Sequence, residues 1–303
     1  MKRKKIIIGS RASKLALIYA NNTKKEISKY YNNEILIKEI TTEGDSKLDV
    51  RLSELGGKGL FSKNIENELL NKKIDLAVHA LKDMPSIETP GLITNCFLKR
   101  NSANEVLISN DNKSLNELIP GSIIGTSSFR REFQLKNIRK DLNFKLIRGN
   151  VDTRIKKLKK KEYDAIVLSK AGLKSLNQEK EITQEFSNKE LIPSVGQGTI
   201  AIQCRENDKE MIDFLKMINH KETSISVMAE REVLKVLGGD CETAVGAISE
   251  IKNNKLYLSS ELFSIDGSRR YYYETTCELK DFQKAGEEVG KNLKAQSKGD
   301  YKK

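Results

Sequence analysis

The chain has no tryptophan, and only 6% of its residues are aromatic. That scarcity argues against the stacking platforms on which single-stranded nucleic acids are held. Histidine is nearly absent too: only His79 and His220 occur, so His-rich metal sites and most His-based triads are poorly supported. The four cysteines, Cys96, Cys204, Cys241 and Cys277, lie far apart and form no CxxC pair. Such spacing fits reduced thiols in a cytoplasmic protein rather than a zinc site or a disulfide framework. No stretch approaches the ~20 apolar residues of a membrane span. The basic start and Ile6-Ile7-Ile8 resemble a signal peptide only until Arg11 and Lys14 interrupt the apolar run.

Positive charge, by contrast, is abundant. A net charge of +12 and a pI near 9.3 leave nucleic acid, an anionic membrane or a small polyanion open as partners. Much of the excess sits in lysine runs, Lys2-Arg3-Lys4-Lys5, Lys156-Lys157, Lys159-Lys160-Lys161 and Lys302-Lys303, the pattern of solvated faces. A chain of 303 residues is long enough for two or three domains.

The order of elements repeats weakly. Ile7-Ile8-Gly9-Ser10 is a short apolar strand turning into a helix from Leu15 to Ser28. Ile123-Ile124-Gly125-Thr126 does the same before a helix around Arg130 to Ile138. A helix from Leu60 to Lys72 then leads into the strand Ile74 to His79, and one from Val151 to Lys161 leads into Tyr163 to Leu168. Alternation of this kind predicts two α/β lobes with mainly parallel sheets. Gly91, Asn101 to Glu105, and the segment after Pro193-Ser194-Val195-Gly196-Gln197-Gly198 are plausible crossings between them.

The turns carry chemistry. A Gly-Ser/Thr turn that opens a helix offers backbone N–H groups, hydroxyls and the positive end of the helix dipole to an anion. Ser10-Arg11-Ala12-Ser13 is such a turn in the first half, and Thr126-Ser127-Ser128-Phe129-Arg130-Arg131 is its counterpart in the second. Arg148-Gly149-Asn150-Val151-Asp152-Thr153-Arg154 adds another arginine-bearing turn. Arginine forks grip carboxylate or phosphate bidentately. Any one of these arginines alone fits a surface ion pair; several at helix starts point to a small polyanionic ligand.

A different turn holds Cys241. The helical run from Thr223 to Leu237 stops at Gly238-Gly239, and a strand-like run, Ala244 to Ile251, starts three residues after the cysteine. A thiol so placed is either a small buried hydrophobe or a covalent attachment point. The polar, glycine-rich segment from Thr42 to Gly59 is expected to be a mobile lid.

Taken in order, several motifs resemble the hydroxymethylbilane synthase (porphobilinogen deaminase) family. They are Gly56-Gly-Lys-Gly-Leu-Phe61, His79-Ala-Leu-Lys-Asp-Met-Pro85, Gly125-Thr-Ser-Ser-Phe-Arg-Arg131, Arg148-Gly-Asn-Val-Asp-Thr-Arg154, Tyr163-Asp-Ala-Ile-Val-Leu168, Val195-Gly-Gln-Gly198 and the Cys241 loop. Each is short; the ordered set, running from about Ile6 to Ala247, is specific.

The resemblance implies an α/β fold of two periplasmic-binding-protein-like lobes and a small C-terminal α/β domain. Residues 1–97 with 196–217 would form the first lobe, 98–195 the second, and 218–303 the domain that carries the cysteine loop. It also implies a cytoplasmic, monomeric enzyme with porphobilinogen as substrate and neither nucleic acid nor membrane as partner. Cys241 would hold a dipyrromethane cofactor through a thioether. Successive porphobilinogens would lose ammonia and join its free end, and the linear tetrapyrrole would then be hydrolysed off.

Carried over position by position, Arg11, Ser13, Lys82, Ser128, Arg130, Arg131, Arg148 and Arg154 would bind the pyrrole carboxylates. Thr126, Ser127, Asn150 and Gln197 complete that set, and no metal is expected. Asp83 would contact pyrrole N–H groups and stabilise the cation formed as ammonia leaves. The chain departs from the family pattern at Glu54, Ala80, Ser175, Asp240, Glu242 and Ala244. Asp240 and Glu242 would raise the thiol pKa unless arginines offset them.

Two other classes share some of these features. A two-lobed anion receptor would keep the arginines but has no need of Cys241 or Asp83. A nucleic-acid binder would lose affinity steeply as salt rises.

Overall fold

The computed structural model describes residues 3–42, 59–239 and 243–302. The first stretch supplies β1 (Lys5–Arg11), α1 (Lys14–Ile27), β2 (Glu34–Ile40), α2 (Lys63–Leu70), β3 (Leu76–Ala80) and β4 (Leu92–Phe97). The middle supplies β5 (Glu105–Ser109), β6 (Ile123–Gly125), α3 (Phe129–Ile138), β7 (Asn143–Lys145), α4 (Val151–Lys159), β8 (Ala165–Ser169), α5 (Lys170–Ser175) and β9 (Gln184–Glu185). The last supplies β10 (Ile200–Arg205), α6 (Lys209–Lys216), α7 (Lys221–Leu237), β11 (Val245–Lys252), β12 (Lys255–Phe263), β13 (Arg270–Glu278) and α8 (Phe282–Ser297).

Among the described residues three sheets result, ordered β2-β1-β3-β10-β4, β7-β6-β8-β5-β9 and β11-β12-β13. The first two follow one plan. In each, a central strand pairs in parallel with both neighbours: β1 with β2 and β3, β6 with β7 and β8. Two antiparallel strands then extend the sheet, β10 and β4 in one, β5 and β9 in the other. The weak repeat in the sequence is therefore a repeated topology.

Both of these sheets are covered on two faces, which is why their strands read as continuous apolar runs. Ile6 and Ile8 join a core with Met211 and Phe214 of α6, whereas Ile40, Ala77 and Leu92 join Ile65 and Leu69 of α2. Along β5 and β8 alternate residues divide in the same way. Leu107 and Val167 meet Leu135 of α3, while Val106, Ile108 and Leu168 meet Ile155 of α4 and Leu173 of α5. The third sheet is antiparallel and is covered by α7 and α8 around Val233, Leu237, Leu258 and Val289.

The chain passes between the first two sheets twice, and the two passages lie side by side. Asn101 N donates to Gly198 O at 2.9 Å. Gly198 has φ +81°, and a Cβ there would lie 2.4 Å from Ser102 O, so only glycine fits. Glu230 of α7, fully buried, ties both passages to the third sheet. It takes Arg100 at 2.6 and 3.2 Å, Gly196 N at 2.9 Å, and both the N–H and the hydroxyl of Ser249 at 2.9 Å.

α7 ends as its glycines require. Gly238 adopts φ +57°, and Gly239 N donates to Leu234 O at 3.0 Å. Asp240, Cys241 and Glu242 lie outside the described residues, as do residues 43–58, which hold Glu54 and most of the expected lid.

Candidate active site

Most of the side chains expected at the site follow the carboxyl ends of the parallel strands. β1 ends at Arg11, and Ser13 then caps α1 by accepting from Ala16 N at 3.4 Å. β3 ends in a 3-10 turn, Leu81–Asp83, pinned by Leu81 N donating to Thr199 O at 3.0 Å. β6 is followed at once by Thr126, whose hydroxyl accepts from Ser128 N at 3.1 Å, and Ser128 caps α3 by accepting from Arg131 N at 3.4 Å. Ser127 is half-buried in that turn. After β7, Gly149 turns with φ +109° and exposed Asn150 caps α4 without a side-chain bond. Arg154 reaches back one turn to Gly149 O at 2.8 Å.

Arg11 stands 3.7 Å from Asp83 and lies over the Phe61 ring at 4.2 Å. Lys82 Nζ donates to Gln197 Oε1 at 3.3 Å, and Gln197, fully buried, donates to Ala103 O at 2.7 Å. Lys82, Ser128 and Arg130 line a cavity with Ser194, Arg231 and Thr243. Of the described residues near Cys241, Thr243 lines this cavity, and Gly239 O accepts from the Ser86 hydroxyl at 3.0 Å.

Arg130 and Arg131 have a role inside the protein. Glu105, fully buried on β5, accepts from Arg130 at 2.6 Å and from Arg131 at 2.7 Å. Burial alone would push this carboxyl up, but Arg131 and Arg130 outweigh it and hold Glu105 at about 2. The other ends of the two guanidiniums donate to Ile192 O at 2.8 Å and Val167 O at 3.0 Å. Arg131 Nε is buried with no hydrogen-bond partner.

Burial and neighbouring cations act on the other basic groups as well. Burial, then Arg131, pushes Lys82 down; burial, then Arg11, does so for Arg148. Burial, then Arg131 and Arg148, lowers Arg154 to about 10. Like charges crowded together in a desolvated cleft favour an anionic occupant with several carboxylates. Asp83 is a carboxylate near Lys82 and Arg154, besides the buried Glu105. Among the described residues no cluster of His, Cys, Asp and Glu could hold a metal ion.

Sequence reasoning missed Glu105, Tyr19, Arg100, Glu230 and Arg231. Arg231 is buried, donates to Pro85 O at 3.0 Å, and is pushed down by burial. A signal for two of them existed. Val227, Leu234 and Leu237 mark the apolar stripe of α7, and Glu230 and Arg231 occupy the stripe between them. Of the departures, Ala80 lines a separate cavity with Asp83, Ser175 faces the Tyr19 hydroxyl, and Ala244 packs with Phe133 and Phe263.

Comparison with known proteins places these residues in a family. The family model "Porphobilinogen deaminase, dipyromethane cofactor binding domain" matches residues 6–213, and "Porphobilinogen deaminase, C-terminal domain" matches 224–296. The chain is 43% identical over 270 residues to a porphobilinogen deaminase of Geobacillus kaustophilus, covering 88% of this chain and 87% of that one. It is 46% identical over 270 residues to one of Bacillus cereus, with the same coverage of 88% and 87%. Among solved structures, a periplasmic binding protein of Salmonella typhimurium described for high arginine specificity aligns with a TM-score of 0.42 and 12% identity, over 74% of this chain and 95% of that chain.

Proposed function

This chain belongs to the porphobilinogen deaminase family, and on that premise we propose that it is a hydroxymethylbilane synthase, a transferase that deaminates porphobilinogen and condenses the units head to tail. When bound, the dipyrromethane cofactor supplies the covalent primer on which the chain is extended before hydrolytic release. The cleft fits such a group, because a dipyrromethane bears several carboxylates and the desolvation of Lys82, Arg154 and Arg231 outweighs the carboxylates already near them.

The crowding of the buried cations Lys82 and Arg154 beside Asp83, with Arg148 next to Arg154, carries this assignment. Cys241 is the attachment point. Arg11, Ser13, Lys82, Arg148 and Arg154 bind carboxylates, aided by Thr126, Ser127, Ser128 and Asn150 at the two helix starts. Glu105 fixes Arg130 and Arg131 from beneath, so that their remaining N–H groups are aimed before ligand arrives. Gln197 orients Lys82. Asp83 puts negative charge where carbon becomes cationic as ammonia departs; Arg11 holds it in place. A receptor without catalysis would gain nothing from a carboxylate among cations meant for an anion.

We further propose the boundaries 1–97 with 196–217, 98–195 and 218–303 for the two lobes and the C-terminal domain. The paired passages at Asn101 and Gly198 support them. A monomer in the cytoplasm is the state we assign; the thiols of Cys96, Cys204 and Cys277 are unpaired, as a reducing compartment would leave them. No helix among the described residues is long and apolar enough to cross a membrane.

The deciding experiment supplies porphobilinogen to the purified chain and follows both its consumption and the appearance of a linear tetrapyrrole. Binding without consumption would reject the assignment.

A further inference from the structure

A second cavity opens beside Asp83, lined also by Arg11, Ser13, Tyr19, Phe61 and His79. Most of its polar groups are already engaged. Arg11 pairs with Asp83 and lies over Phe61, the Ser13 hydroxyl caps α1, and His79 keeps its Nε2 buried. Tyr19 has no such task. Its ring packs against the core of the first sheet, yet among the described residues none accepts a hydrogen bond from its hydroxyl.

The helix aims that hydroxyl. Long side chains on a helix point back toward its N-terminus. Tyr19, in the second turn of α1, therefore reaches toward Arg11 and Ser13, where the cavity opens. The same end of α1 meets the helices of the second sheet. Leu15, one turn before Tyr19, lies 3.7 Å from the position a Cβ would take on Gly172 of α5, and Lys14 stands 3.9 Å from Asp152 of α4. Residues four apart share a helix face, so Tyr19 also turns toward α5, where Ser175 faces the phenol. The hydroxyl thus lies at the seam between the two halves of the cleft.

We propose that the Tyr19 hydroxyl binds the incoming porphobilinogen, donating a hydrogen bond to the acetate on the ring carbon next to the one that carries the aminomethyl group. The proposal rests on porphobilinogen being the substrate. Asp83 serves the aminomethyl carbon as it turns cationic, and the acetate is the carboxylate nearer to that carbon. A donor that shares a cavity with Asp83 therefore meets the acetate rather than the propionate. A neutral donor suits this position. A further guanidinium would grip the acetate more strongly but would oppose the cation formed beside it. A phenol holds the carboxylate without adding positive charge. Burial, then Asp83, raises Tyr19 to about 12, so it keeps its proton at neutral pH. Arg11, 3.7 Å from Asp83, offsets the repulsion between that carboxylate and the bound acetate.

Tyr19→Phe removes one oxygen and leaves the ring in the core, and the cofactor-loaded, full-length variant is the test. Its KM for porphobilinogen should rise about tenfold or more, the size of one hydrogen bond to a charged group, with kcat within about threefold of wild type. The control ligand is a porphobilinogen analogue with a methyl group in place of the acetate, read as a competitor. Its inhibition constant should agree within about twofold between wild type and variant, because the group that meets the hydroxyl is gone. A KM within about threefold of wild type overturns the proposal, as does a loss confined to kcat or an equal loss for both ligands. Difluorotyrosine at position 19 gives a second arm that keeps the oxygen. Its phenol is more acidic, so kcat/KM should fall with rising pH earlier than in the wild type, as the donor ionises. Superimposed pH profiles also overturn the proposal. A wild-type chain that never consumes porphobilinogen would instead defeat the functional assignment.

Discussion

Arg100 and Glu230 meet through both carboxylate oxygens, at 2.6 and 3.2 Å, and the pair locks the two interlobe passages to the C-terminal domain. Glu230 is fully buried and Arg100 nearly so. Breaking one side of such a pair leaves a charge without its counter-ion in a desolvated site, which costs about 3–5 kcal/mol. Glu230→Gln should therefore lower stability by about that much and loosen all three bodies at once. Denaturant unfolding, with proteolysis at residues 98–104 and 193–199 as a local probe, would measure it. A variant as stable and as resistant as wild type would show that the pair is dispensable.

Glu105 gives a pH prediction. Its folded pKa, about 2, lies below its ordinary 4.5. A depressed carboxyl contributes stability that is fully present above its unfolded pKa and is lost as pH falls through the folded one. The acid limb of the stability profile should thus drop between about pH 4.5 and 2, with Glu105 among its main contributors. Glu105→Gln should be less stable at neutral pH and show a shallower acid limb. Parallel limbs in the two proteins would remove Glu105 as the cause.

Asp83 should matter to rate more than to loading. A carboxylate about 4 Å from a cation, at an effective dielectric near 20, contributes roughly 4 kcal/mol. Asparagine keeps the hydrogen bonds but not the charge. Asp83→Asn is expected to carry the cofactor mass yet turn over roughly 100- to 1000-fold more slowly. Single-turnover deamination checks this, and a rate within about fivefold of wild type would leave Asp83 only its ion pair with Arg11.

Cys241 is tested by mass. Wild-type protein should weigh more than the bare chain by two condensed pyrrole units, and Cys241→Ser should not. Cofactor-free protein should also melt at a lower temperature, since a group bound only to the folded state stabilises it. Turnover by a wild-type chain of bare mass would falsify the attachment.

Much of this site was legible in the sequence because its turns are local. Ser13, Ser128 and Asn150 announce helix starts within a few residues, and Gly238 announces a helix end. Long-range partners were not legible. Glu105 meets Arg130 and Arg131 only because β5 enters the second sheet antiparallel to β8, a pairing no local pattern encodes. Arg130 and Arg131 could be read as anion-binding from their position, but not as ion-paired beneath the cleft. His79 read as one more residue of a short motif; its neighbours Glu66 and Gln203 come from a helix and a strand far away in the chain.

The position of β10 in the first sheet has a consequence for synthesis on the ribosome. This strand lies between β3 and β4, yet residues 200–205 follow every strand of the second sheet in the chain. Until they emerge, β4 has no neighbour, and the first sheet stops at β2-β1-β3. The second sheet has all its strands by residue 185. The lobe encoded in the middle is thus the first able to close as the chain is made. The N-terminal lobe, with its apolar strand edge unpaired, has to wait for a strand that arrives afterwards.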